Sequence, residues 1–264
     1  GSILPEGVNV IPTVHLPEFQ DRDDITDNIL HLDAYKDAFD IIHDFSHKNV
    51  LKDRAIHMVW HPIVNRYPCA DNRQVCLSNW QRERFQKVYG QEAKVMPMWT
   101  TVEPIEHPIR ERLLFFGAII PAKGVLMAID MAKRLGANLD VAGGLIPSEL
   151  DSPYLKAVQE KCDGEKVRLH FNVSEDKKRM LIQNAKAVVY PVQQAEGAWL
   201  TGIEAWSAGT PTLALNLGAM REITKPECGL VVDTTAEFEY MMNRLDKDEM
   251  FRKTFSGTRE FAID

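Results

Sequence analysis

The stretch from Ala187 to Asn216, AVVYPVQQAEGAWLTGIEAWSAGTPTLALN, decides the fold. It opens on an apolar run, Val188-Val189-Tyr190, halted by Pro191, which predicts a buried parallel strand. A polar loop carrying Glu196 follows. Leu200, Ile203 and Ser207 then recur at helical spacing until Gly209 supplies a C-terminal stop. Thr212 to Leu215 is a second apolar strand, so the stretch reads as one βαβ unit. Glu196 sits in the loop after the first strand and Glu204 in the helix. Open α/β sheets bind ligands at the carboxyl ends of their strands, beside helix N-termini whose unpaired N–H groups suit phosphate. An ionised carboxylate only accepts hydrogen bonds, which suits sugar hydroxyls. Phosphate and sugar hydroxyls together predict a nucleotide sugar as the ligand.

Outward from this unit the alternation continues. Thr101 to Arg110, with Pro104 and Pro108, reads as a linker dividing residues 1–107 from 108–264. Beyond it, Leu113 to Phe116 is a buried strand ending at Gly117. Pro121 and Lys123-Gly124 lead into a helix from Val125 to Leu135, closed by Gly136, and Leu139 to Ala142 is the next strand. Val167 to Phe171 follows, with Asn172-Val173-Ser174 at its end and Ser174 as the N-cap of a helix from Glu175 to Ala185. After the opening stretch come a short helix from Ala219 to Ile223, a strand from Gly229 to Val232, a helix from Thr235 to Leu245 and a further helix within Asp248 to Phe255. The first part is patchier. Short strands are predicted at Val8 to Ile11, at Ile41-Ile42, from Ala55 to Trp60 ending in His61-Pro62, from Val75 to Leu77, and from Lys94 to Met98. Ser78 opens a helix with Trp80, Phe85 and Val88 that stops at Gly90.

Bulk properties narrow the function. The chain has 264 residues, 45% hydrophobic and 26% charged, the composition of an ordinary soluble globular protein. A net charge of −7 argues against general nucleic-acid binding, which needs a concentrated basic face. No apolar run approaches the roughly 18 residues of a membrane span. Cys69, Cys76, Cys162 and Cys228 form no CxxC pair, so neither a zinc site nor a disulfide framework is indicated, and a reducing, cytoplasmic setting is the default. Asp21-x-Asp23 matches a metal-binding DxD, but no buried strand precedes it and it reads as a solvated charge cluster. No metal site is expected.

The run of Glu196, seven residues, Glu204, Ala205 and Gly209-Thr210-Pro211 resembles the nucleotide-sugar signature of retaining glycosyltransferases of family 4, which have the two-Rossmann-domain (GT-B) architecture. The resemblance implies an α/β fold with two Rossmann-like domains facing a cleft: residues 1–107 on the acceptor side and 108–264 binding the donor. It implies transfer of a sugar from a nucleotide diphosphate sugar to an acceptor hydroxyl on a glycan, lipid or small molecule, with retention and without a metal or other cofactor. By the same match Glu196 holds the transferred sugar's hydroxyls and Glu204 the ribose. The N–H groups of Ala198, Trp199, Leu200 and Thr201 hold the distal phosphate, and backbone near Val173 reads the base. Trp199 is bulky for this turn, and either reshapes the sugar pocket or points into the core. His61, ending "MVWH", is the candidate cleft histidine near the donor sugar.

The unit around Gly117 and Lys123-Gly124 resembles the family's "GR-x-x-x-x-KG" element, in which an Arg and a Lys neutralise the departing diphosphate. Lys123 matches the Lys, but Ala118 stands where the Arg is expected; Arg221, Arg110 or a residue outside the recognisable part could substitute. The first domain lacks the usual first strand and glycine-rich turn, which a second polypeptide could supply. These departures keep open an alternative: a catalytically weak or inactive nucleotide-sugar-binding or scaffold protein of the same fold. An epimerase of similar architecture is a lesser rival.

Overall fold

In a computed structural model of the protein, the described residues are 74–98, 100, 102–144 and 152–255, with the backbone of 42–44 and 55–59. They form two parallel sheets. The first has four strands, β1 (Ile42–Asp44), β2 (Ala55–Val59), β3 (Gln74–Cys76) and β4 (Lys94–Val95), lying side by side in chain order. Between β3 and β4 runs α1 (Asn79–Tyr89). The Ser78 hydroxyl accepts from Gln81 N at its start, and Gly90 closes it at φ 66. The strand predicted from Lys94 to Met98 pairs over only two residues. Val8 to Ile11, Asp21-x-Asp23 and His61, singled out in the sequence, lie outside the described residues.

The second sheet has six strands: β5 (Arg112–Phe116), β6 (Leu139–Gly143), β7 (Val167–Phe171), β8 (Ala185–Tyr190), β9 (Thr212–Leu215) and β10 (Gly229–Val232). Its spatial order is β10-β9-β8-β5-β6-β7, and every pairing is parallel. Parallel neighbours need crossovers, and helices supply them: α2 (Val125–Leu135), α3 (Pro153–Lys161), α4 (Glu175–Asn184), α5 (Leu200–Ser207) and α6 (Met220–Ile223), with α7 (Thr235–Lys247) and α8 (Glu249–Lys253) following the last strand. The chain winds outward from β5 through β6 to β7, then returns to β8 on the other side of β5 and winds the opposite way. The reversal between β5 and β8 is a topological switch point, where the loops leaving adjacent strands part and leave a crevice.

The core explains why the apolar runs became strands. Leu113, Phe115, Leu139, Val141, Val188, Val189 and Leu213 are essentially sealed from solvent, as are Val125, Ala128 and Ile129 on the inward face of α2. Each such aliphatic or aromatic side chain contributes about 1.5–3 kcal/mol by leaving water. Two local readings are corrected. Ala185, expected to end a helix, is extended (φ −73, ψ 144) and opens β8 opposite Arg112, because the ladder to β5 claims it. Helix α3 was not foreseen, although its signals are present: Ser152 as N-cap, Pro153 in the first turn, and Leu155 and Val158 buried on one face. No helix among the described residues is long and apolar enough to cross a membrane.

Candidate active site

Strands β5 and β8 flank the switch point, and the loops leaving them carry the first pair of charges. After β5, Gly117 N donates to Ala142 O (3.1 Å), and a 3-10 turn, Pro121–Lys123, hands the chain to α2 through Gly124. After β8 the chain runs back past that turn, with Gln193 N donating to Ala122 O (2.9 Å). The joined loops place Lys123 Nζ 2.6 Å from Glu196 Oε1, with the side chains 23% and 16% exposed. Lys123 Nζ also lies 5.8 Å from the ring centre of Tyr190, the last residue of β8. Burial, reinforced by the charge and hydrogen bond of Glu196, holds the Tyr190 phenol well above its usual range. It therefore stays a neutral donor beside the carboxylate.

Backbone geometry fixes Glu196 as firmly as its ion pair does. It forms an isolated parallel bridge with Gly218, and its carbonyl accepts from Ala219 N (2.8 Å). Three residues further on, Trp199 is the N-cap of α5 and makes no side-chain cap bond. The ladder begins with Ile203 N donating to Trp199 O (3.2 Å), so the N–H groups of Leu200, Thr201 and Gly202 lie ahead of it with the positive end of the helix dipole. The Trp199 side chain settles one question. It is buried, stacked on Tyr190 (centroids 4.8 Å apart, planes at 12°) and set edge-on to Trp206. Its ring covers Gly202 so closely that a Cβ there would fall 2.5 Å from it. Trp199 thus belongs to the core, with its Nε1 buried and without a hydrogen-bond partner.

Helical glutamates are ordinarily solvated, but Glu204 is 6% exposed. Its Oε1 receives Lys178 Nζ of α4 at 2.7 Å, and its Oε2 is buried without a hydrogen-bond partner. Burial raises the Glu204 pKa, Lys178 opposes that rise, and Glu175 adds to it. For Lys178, burial opposes the charge, but the hydrogen bonds and charges of Glu204 and Glu175 outweigh it and raise the pKa. The two ends differ because Glu204 is the more deeply buried of the pair and faces a second carboxylate. At the far end of the crevice Asn172 adopts φ 46, Val173 packs against the core, and Ser174 caps α4 by accepting from Lys177 N (3.2 Å).

The first sheet's helix meets this site directly. Ala198 packs on Val75 and Leu77, and a Cβ on Gly197 would fall 2.8 Å from Gln81 Nε2. Glu222 of α6 accepts from Asn79 N (2.6 Å), Asn79 Nδ2 (2.8 Å) and Trp80 N (2.8 Å), so a carboxylate from the second sheet caps the positive end of α1. Glu222→Ala is expected to lower stability by about 1 kcal/mol, the ordinary worth of an exposed cap. Urea unfolding followed by Trp fluorescence would check this, and an unchanged midpoint would contradict it.

Lys123 and Glu196 are brought into contact, Gly117 follows the end of β5, and the Ala198–Thr201 turn leads into the helix that carries Glu204. Two suggested substitutes for the missing arginine have partners of their own. Arg110, a non-glycine residue at φ 47, donates to Ala185 O (2.6 Å) and Gly209 O (2.8 Å), at the amino ends of β8 and β9 and so at the wrong end of the sheet. Arg221 is paired with Asp233 at 2.9 Å. The sequence reading missed Lys178. Its contact with Glu204 spans 26 residues and carries no local signal beyond the Glu175–Lys178 spacing of one helical turn.

A doubly wound parallel sheet with paired carboxylates and lysines at its switch point places the chain among the GT-B glycosyltransferases. Residues 104–257 match the family described as "Glycosyl transferases group 1", and the chain belongs to that family. It is 29% identical over 169 residues to the MMP alpha-(1->4)-mannosyltransferase of Mycolicibacterium hassiacum, a match covering 61% of this chain. The matched part is 41% of the length of that relative. Among solved structures, the sucrose-phosphate synthase of Thermosynechococcus elongatus superposes with a TM-score of 0.72 at 17% identity, covering 96% of this chain and 76% of that one. Anabaena HepE in complex with UDP gives 0.71 at 14% identity, covering 89% and 76%.

Proposed function

We propose that the chain binds a nucleoside diphosphate sugar and transfers its hexosyl group, with retention and without a metal, to an acceptor hydroxyl, as in family 4. The observation that carries this is Glu204, a buried carboxylate with one unpartnered oxygen, one helical turn behind the free N–H groups of α5. A buried carboxylate oxygen without a partner is costly, and a ligand hydroxyl would satisfy it. In this reading Glu204 accepts from the ribose, and the α5 N-terminus with Lys123 receives the diphosphate. Glu196, held at the mouth by Lys123, accepts from the transferred sugar. Val173 backs the base, the resemblance assigns His61 to the donor sugar, and the division between domains falls at residues 107/108. The naming of the M. hassiacum relative for mannosyl transfer and the UDP bound to HepE support a hexosyl nucleotide donor. The free thiol of Cys162 is in keeping with a reducing, cytoplasmic setting.

Calorimetric titration with UDP, GDP, ADP and their sugar conjugates tests the assignment. Glu204→Ala is expected to weaken the bare nucleotide roughly tenfold to a hundredfold, the loss of a charge-assisted hydrogen bond. Glu196→Ala should leave the bare nucleotide nearly unaffected and remove the advantage of the sugar conjugate. Equal effects of both variants on the bare nucleotide would refute this division of labour. Ala118 favours a second reading, a nucleotide-sugar binder without transfer activity, which predicts the same titrations with no turnover on any hydroxyl acceptor.

A further inference from the structure

The geometry points to Lys178 as a positioning residue: its ammonium, wedged between Glu204 and Glu175, keeps Glu204 ionised and leaves Glu204 Oε2 as the open acceptor of the site. This rests on the reading of Glu204 as a ligand-binding carboxylate. Lys178 Nζ lies 2.7 Å from Glu204 Oε1, with side chains only 14% and 7% exposed. It lies 3.3 Å from Glu175 Oε2, and 5.9 Å from the ring centre of Phe116, the residue that ends β5 beside the switch point. Glu175 is mostly exposed, so the shielded partner of the ammonium is Glu204. The helix N-cap at Ser174 fixes where α4 starts, and residue 178 falls one turn later on the side facing α5.

The pair divides the work of one carboxylate between its two oxygens. Oε1 is spent on Lys178, while Oε2 is enclosed and unpartnered. A buried carboxyl without a cation would take up a proton, and a neutral acid is a far weaker acceptor than a carboxylate. Lys178 opposes this. The charged groups facing Glu204 among the described residues are Lys178, which favours its ionised form, and Glu175, which disfavours it. Once Lys178 is removed, burial and Glu175 both act in one direction, so Glu204 protonates at a higher pH than before. Ligand binding that needs the ionised form must then fail at a higher pH as acid is added.

Two measurements separate this proposal from the function assigned to the site. The first needs no ligand: the side-chain carboxyl carbon of Glu204, assigned by its disappearance in Glu204→Gln, is titrated by NMR in the parent protein and in Lys178→Met. The expected result is a midpoint displaced to higher pH in Lys178→Met and restored toward the parent value in Lys178→Arg. An unmoved midpoint would overturn the proposal. The second is calorimetry with UDP and, in parallel, GDP. In Lys178→Met, affinity should be roughly tenfold or more weaker at about pH 6 than at about pH 8.5, while the parent changes little over that range. Lys178→Arg should flatten the profile again, and adding Glu204→Gln to Lys178→Met should abolish the pH dependence. A Lys178→Met protein that binds uniformly less at every pH would show a merely structural role and reject the proposal. If neither nucleotide binds the parent, the assigned function fails, and the carboxyl titration still decides the role of Lys178.

Discussion

Gly124→Ala is expected to lower stability by about 3–5 kcal/mol, at the severe end for a point substitution. Two effects combine. Gly124 adopts φ 76, a left-handed conformation that costs a residue bearing a Cβ about 1–2 kcal/mol. The added Cβ would also fall 1.9 Å from the carbonyl oxygen of Pro191, a backbone atom that cannot swing aside as a side chain would. Relief requires the turn carrying Lys123 and the loop leading to Glu196 to separate. That movement would stretch the Gln193 N to Ala122 O bond and the Lys123–Glu196 pair. Urea denaturation should therefore show a sharply lowered midpoint, and nucleotide binding at permissive temperature should weaken with it. Gly136→Ala is the control: it has nearly the same φ of 65 but nothing within 4 Å of the added atom, so it should lose only the conformational part. Equal losses in the two variants would show that close approach of the switch-point loops is not what Gly124 provides.

This coupling explains which features were legible in the sequence. The strands of the second sheet could be read because burial on both faces makes each a continuous apolar run, as in Leu113 to Phe116 or Val188 to Tyr190. Caps were legible for the same local reason: Ser78 and Ser174 each accept one orphan N–H, as their positions before apolar periodicity predicted. The loop pair was legible too, because Lys123-Gly124 and Glu196 lie in motifs whose spacing is short. What escaped depends on tertiary contacts between residues far apart in the chain. Apart from its spacing from Glu175, nothing local distinguishes Lys178 from its neighbour Lys177, and only the packing of α4 on α5 brings it to Glu204. Trp199 could be core or pocket until the stacking on Tyr190 and the bare Cα of Gly202 placed it in the core. Arg110 looked available as a phosphate ligand because a sequence does not show at which end of a sheet a linker residue lands.

Lys123→Met is expected to reduce turnover about 10²–10³-fold, the usual effect of removing one group that stabilises developing charge. The reasoning starts from what is absent. Ala118 has no hydrogen-bonding side chain, and both Arg110 and Arg221 are engaged elsewhere. Lys123 is therefore the cation that the switch-point loops bring to the mouth of α5, where the proposed diphosphate leaves. In the free protein its ammonium is held 2.6 Å from Glu196, so it is already positioned before a ligand arrives and need not be drawn in from solvent. Because the charge on a leaving diphosphate grows as the glycosidic bond breaks, the loss should fall mainly on kcat rather than on the donor's KM. Steady-state assay with the donor identified by calorimetry would test this. An equal fall in donor affinity with kcat unchanged would show that Lys123 only anchors the ground state. In that case Ala118 would mark a site built to hold a nucleotide sugar, and the binding reading would displace the transferase one.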